Sequence, residues 1–146
     1  MLKVTTAHLE DIRRHAEESY PEEGCGILIG RFSEDMRIVH VTLRCRNAAI
    51  ESRHTRYHMD PREVIRAQRD AREQGLQIVG FYHSHPDHPA QWSPTDLAEA
   101  HWIGCSYMIT TVENGRATET NSFVLSGTLE EDKAFLWEEL LVAPSA

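Results

Sequence analysis

Residues 80 to 96 read GFYHSHPDHPAQWSPTD, and how this stretch folds decides both the layering of the chain and its chemistry. The segment QIVGFYHSH that ends inside it has the length and composition of a strand, and Pro86 stops it. In a strand, side chains two apart share a face, so His83 and His85 project together while Ser84 points away. After a ten-residue loop, SPTDLAEAHWIG begins a helix with Pro94 at its first position and Gly104 near its exit. Asp96, on the first turn of that helix, can fold back toward the strand end.

The remaining elements follow outward from this unit. TTAHLEDIRRHAEESYP predicts a helix with Leu9, Ile12 and Ala16 on one stripe, a Thr6 cap and a stop at Pro21. GCGILIGRF and RIVHVTLRC predict two paired strands. Asp60 as cap, Pro61 at the first helical position, Glu63 in a capping box and Gly75 as the stop predict a helix over 61–74. SYMITTV and SFVLSG read as two further strands, and a Thr128/Glu131 capping box predicts a closing helix over about 128–142. Strands and helices mixed in this order imply an α/β or α+β fold, a mixed β-sheet with flanking helices. The whole chain, 1–146, is expected to be a single domain, because 146 residues build one core and leave no room for a second.

Charge and composition narrow the function. A net charge of −8, with 23 acidic against 15 basic residues, opposes a nucleic-acid binder, which needs a basic face. Cys25, Cys45 and Cys105 are odd in number and never form C-x-x-C, so neither a disulfide framework nor a thiolate zinc site is indicated. The N-terminal residues lack the apolar core of a signal peptide, and no apolar stretch approaches the roughly 20 residues of a membrane span. A soluble, cytoplasmic protein is expected.

Two imidazoles, one carboxylate and an open position form the ligand set of a catalytic zinc. His83, His85 and Asp96 can supply it, although iron or cobalt could take the same donors. A plainer account stands beside this one: Ser93 as cap and Asp96 at the third helical position suit a helix N-terminus with no metal at all. Glu22 and Glu23 taken alone read equally well as a solvated turn.

The pattern PEEGCG, then H-S-H-P, six residues, and S-P-T-D resembles the JAMM (MPN+) metalloprotease family, in its compact prokaryotic form. The resemblance covers about residues 7 to 125 and implies a cytidine-deaminase-like sandwich. It implies one Zn2+ per chain held by His83, His85 and Asp96. Aligning its upstream motif on Pro21, Cys25 and Gly26 selects Glu23 over Glu22 as general base, and it makes Ser93 a hydrogen-bond donor to the oxyanion. The implied activity is hydrolysis of an amide bond after the C-terminal Gly-Gly of a small ubiquitin-like or sulfur-carrier protein. Trp92 is expected either to wall the groove for that tail or to pack inside. Two alternatives remain: a non-catalytic MPN scaffold, and a metallo-β-lactamase-like two-metal site using His83, His85, Asp87 and His88. The second is opposed by the chain's shortness and by the presence of only His101 downstream of the cluster.

Overall fold

The computed structural model describes residues 1–145. In chain order these form β1 (Leu2–Thr5), α1 (Thr6–Ser19), β2 (Cys25–Ser33), β3 (Met36–Cys45), α2 (Pro61–Glu73), β4 (Gln77–Pro86), α3 (Pro94–Glu99), β5 (Ser106–Glu113), β6 (Arg116–Ser126), β7 (Ala134–Glu138) and β8 (Leu140–Ala143). The strands make one mixed sheet in the order β7-β6-β5-β4-β2-β3-β1-β8. The pairs β4–β5, β1–β3 and β1–β8 are parallel and the others antiparallel.

The sheet carries a core on each face. Ile12 of α1 packs with Leu2, Val4, Leu28, Val79 and Met108 on one side. Ala67 and Ala71 of α2 pack with Ile27, Phe81, Tyr107, Ile109 and Leu125 on the other. Within β4 the pairing shifts, because Leu28 faces Gly80 while Ile29 faces Ile78, which leaves Val79 as an extra, bulged residue. Ile78 and Phe81 therefore both reach the α2 side although they are three apart. His83 and His85, two and four beyond Phe81, follow it onto that face. Gly80 is required beside this bulge, since a Cβ there would lie 2.4 Å from the Ser106 carbonyl oxygen of β5.

The helix starts follow side-chain chemistry. Thr5 rather than Thr6 caps α1: its side chain accepts from the His8 N–H, and His8 Nδ1 accepts from the Thr5 N–H in return. Asp60 and Pro61 open α2 as expected. α3 stops at Glu99, short of Gly104, because Lys133 Nζ takes the freed carbonyls of Ala98 and Ala100 at 3.1 and 2.8 Å. Trp102 then turns inward against Phe81, with ring centroids 5.5 Å apart.

The closing helix over 128–142 does not form, and β7 and β8 occupy that stretch. Thr128 and Leu129 donate their N–H groups to Asp132 Oδ1 at 3.0 and 2.7 Å, which closes a turn in place of the anticipated capping box. β7 then pairs along β6, with Phe135 opposite Leu125, while β8 runs parallel to β1. The two outermost strands of the sheet are separated only by Glu139, so the sheet must curl until its edges approach at that residue. The open edges of β6 and β1 offered backbone partners that a helix would have left unmet. Phe135, Leu136, Trp137, Leu140 and Leu141 fit either periodicity, and the edges chose between them.

Glu138 locks the curl. Buried at the end of β7, its carboxylate accepts from Arg37 Nη2 of β3 at 2.8 Å and from Ser122 Oγ of β6 at 2.7 Å. Arg37 Nε donates in turn to Ser106 Oγ of β5 at 2.8 Å. The same carboxylate pairs with the N-terminal amine of Met1 at 2.9 Å, so removing it leaves two cationic groups, the Arg37 side chain being only 12% exposed, without their counter-charge. Glu138→Ala is expected to lower unfolding free energy by about 3 to 5 kcal/mol in urea titrations, whereas Trp137→Ala, at a side chain 66% exposed, should cost only about 0.5 kcal/mol.

Candidate metal centre

His83 and His85 leave β4 on the α2 face, and Asp96 leaves the first turn of α3, so that the three converge. His83 Nε2 lies 3.1 Å from His85 Nε2 and 3.3 Å from Asp96 Oδ1, and His85 Nε2 lies 3.1 Å from Asp96 Oδ2. Their ligand atoms all fall within 4.8 Å of one another. The donor chemistry then tests whether a cation fits. His85 Nδ1 is 2.8 Å from the Pro89 carbonyl, which can only accept, so Nδ1 carries the proton and Nε2 presents a lone pair. Two imidazole nitrogens facing one another across a carboxylate bring several lone pairs together with too few protons to share. One divalent cation satisfies all three donors at once, and the residues fit it.

Ser93 and Asp96 also form the helix start anticipated from their spacing. Ser93 Oγ accepts from the Asp96 N–H at 3.0 Å, and Asp96 Oδ2 accepts from the Ser93 N–H at 2.9 Å. The capping reading and the ligand reading thus describe the same geometry. Burial alone would raise the Asp96 pKa, but the adjoining His83 and His85 rings and the N–H that Ser93 donates to Oδ2 hold it well below the usual carboxylate range. At His83 burial prevails and lowers the pKa; at His85 burial is outweighed by Asp96 and Pro89, which raise it.

Glu23 sits in the turn between α1 and β2, and the two candidate glutamates separate sharply: Glu22 is exposed while Glu23 is only 4% exposed. Glu23 Oε1 has no hydrogen-bond partner. Burial first, then the neighbouring Asp96 and Glu99 carboxylates, push its pKa up to about 8 against the opposing pull of His85. Ser84, pointing away from the two histidines, accepts from the Gly24 N–H at 2.8 Å and donates its own N–H to the Gly24 carbonyl at 3.0 Å. The serine between the histidines therefore fixes the residue after Glu23. Sequence reading assigned it no role.

Tyr57 is a second residue that the sequence did not flag. Its ring stacks on His83 with centroids 4.5 Å apart and planes at 25°, and burial pushes its hydroxyl pKa well up. It comes from the long connection between β3 and α2, and no local motif marks it. Trp92 leans on Phe135 at 5.7 Å and stays 37% exposed, so it packs with one side only. Asp87 and His88 are exposed, and the Asp87 carboxylate accepts from the Tyr20 hydroxyl at 2.7 Å and the Asn114 N–H at 2.9 Å. The H-x-H-x-D-H two-metal arrangement is not assembled. His101 pairs with Glu130 on the surface at 2.8 Å.

Residues 5–126 match the family model described as prokaryotic homologs of the JAB domain. The chain belongs to that family. Its sequence is 36% identical to the desampylase of Haloferax volcanii, across 75% of this chain and 78% of that protein. It is 35% identical to a probable TtuB-protein conjugate cleaving protease of Thermus thermophilus, across 70% of this chain and 65% of that one. The solution structure of a protein from Desulfitobacterium hafniense superposes with a TM-score of 0.83 at 30% identity, covering 99% of this chain and 94% of that chain. The JAB membership agrees with the fold and the family that the H-S-H-P and S-P-T-D motifs resembled.

In metal-free protein the buried Glu23 carboxyl makes stability depend on pH. Between its unfolded value of 4.5 and about 8, the native state binds a proton that the unfolded state has lost. The associated stability is complete below about pH 4.5 and is lost as pH rises to about 8. Chelator-treated wild type should therefore lose a few kcal/mol between about pH 5 and pH 8, and Glu23→Gln should flatten this slope in melting curves taken across the range.

Proposed function

We propose that this chain is a zinc-dependent JAMM-type metallopeptidase that hydrolyses the amide or isopeptide bond after the C-terminal Gly-Gly of a small ubiquitin-like or sulfur-carrier protein. The observation that carries the reading is the convergence of His83, His85 and Asp96 beside a buried carboxylate with an unpartnered oxygen. The relatives named desampylase and TtuB-protein conjugate cleaving protease support the substrate class. Two histidines and a carboxylate favour zinc, one ion per chain, with residues 1–146 acting as a single domain. The protein is assigned to the cytoplasm, and no helix among the described residues is long and apolar enough to cross a membrane.

When bound by His83, His85 and Asp96, the cation supplies Lewis-acid polarisation of the scissile carbonyl and acidifies a water molecule. Glu23 takes the proton of the attacking water and passes it to the leaving amine, a role that needs a carboxylate near the ligands but not among them. Ser93 Oγ already accepts from the Asp96 N–H, which leaves its own O–H free to donate to the developing oxyanion. Such a preorganised donor contributes about 3 kcal/mol. The attacking group is water, so no acyl-enzyme forms. A scaffold role is disfavoured because the full donor set is present.

A paired substitution tests this reading. Metal content is measured by mass spectrometry, and cleavage is followed on a ubiquitin-like carrier bearing a short extension after Gly-Gly. His83→Ala is expected to lose both stoichiometric metal and cleavage. Glu23→Gln should keep about one metal per chain and lose at least about 100-fold in kcat. Wild type that binds no metal, or leaves the Gly-Gly bond intact, sinks the proposal.

A further inference from the structure

Glu23 has an unusual problem of placement. Its Oε1 makes no hydrogen bond, so the aim of the carboxylate is set by its backbone. That backbone is gripped from the connection between β3 and α2, residues 46–60. The Glu23 N–H donates to the Arg53 carbonyl at 2.7 Å, and the Glu23 carbonyl accepts from Asn47 Nδ2 at 3.1 Å. The same Nδ2 donates to the Arg56 carbonyl at 2.9 Å. Asn47 Oδ1 accepts from the Ala49 N–H at 3.0 Å and the His58 N–H at 3.2 Å. Both protons and both lone pairs of this amide are thus engaged, which is its full capacity.

From this geometry we infer that Asn47 is a positioning residue for the reaction, tying Glu23 to the connection that also carries Tyr57 onto His83. Arg56 and His58, the two neighbours of Tyr57, are both held by the Asn47 side chain, so one amide sets the Glu23 backbone and the ring that covers a metal ligand. The metal donors themselves arise from β4 and α3 and do not touch Asn47. Its loss should consequently displace the base while leaving the cation site whole. A shift of about 1 Å in a reacting group can cost about 100-fold in rate, and here the carboxylate has no second restraint of its own at Oε1. The inference rests on the reading of Glu23 as general base.

The test compares wild type, Asn47→Ala, Asn47→Asp and Glu23→Gln, all zinc-loaded. Asn47→Asp keeps acceptors toward the Ala49 and His58 N–H groups but replaces the two donations by a charged oxygen that repels the Glu23 and Arg56 carbonyls, so it carries the test if Asn47→Ala does not fold. The readouts are kcat and KM for cleavage after Gly-Gly, metal per chain, and hydrogen exchange at the Glu23 amide by NMR. A positioning role requires kcat to fall about 10- to 100-fold with KM within about twofold, metal content unchanged, and faster exchange at the Glu23 amide. A purely structural role would lower melting temperature without this kcat-specific loss. Unchanged exchange at Glu23, or a freed Glu23 amide with kcat near wild type, overturns the inference. Full turnover by Glu23→Gln overturns the general-base reading as well, and it is recognised because Glu23 amide exchange would still respond to Asn47.

Discussion

The reciprocal hydrogen bonds between Ser93 and Asp96 are the constraint on which the site depends. A helix start must satisfy free N–H groups, and here the carboxylate that does so also turns one oxygen to His85 and the other to His83. The orientation of Asp96 is thereby fixed by backbone chemistry before any cation arrives. On the proposed mechanism the same exchange sets the direction of the Ser93 hydroxyl, because its oxygen is occupied by the Asp96 N–H and its proton is left to point elsewhere. Local folding and site assembly are a single event in this segment.

Glu23 represents the opposite economy. A buried carboxylate with an unpartnered oxygen is unfavourable to the fold, and the rest of the structure must hold it in place. Ser84 fixes Gly24 from β4, and the connection between β3 and α2 holds the Glu23 amide and carbonyl. Two separated parts of the sequence therefore act on one short turn. The cost is local, and the parts that offset it are the strand bearing the histidines and the segment stacking Tyr57 upon them.

The sheet supplies the rigid base for both. Its curl brings β7 and β8, the two outermost strands, to either side of Glu139, and the pair of buried Glu138 with Arg37 joins β7 to β3 across the closing edge. β4 lies near the middle of the strand order, with His83 paired to both β2 and β5 and His85 to β5, so the histidines stand on a strand anchored within the sheet. The Val79 bulge sets which core each residue of the first half of β4 enters, and the histidines inherit their face from Phe81.

Sequence alone determined the features that are local. The alternation of His83, Ser84 and His85, the Pro86 stop, the Ser93-Pro94 helix start and the Asp60-Pro61 start each depend on interactions within a few residues, where residue type and spacing carry the physics. Tertiary structure decided what depends on distant partners. Residues 134–143 suit a helix or strands equally well until the free edges of β6 and β1 demand backbone partners. Lys133 ends α3 early across a gap of more than thirty residues. The burial of Glu23, the stacking of Tyr57 and the fourfold engagement of Asn47 leave no local trace, because each is created by segments that meet only when the sheet has formed.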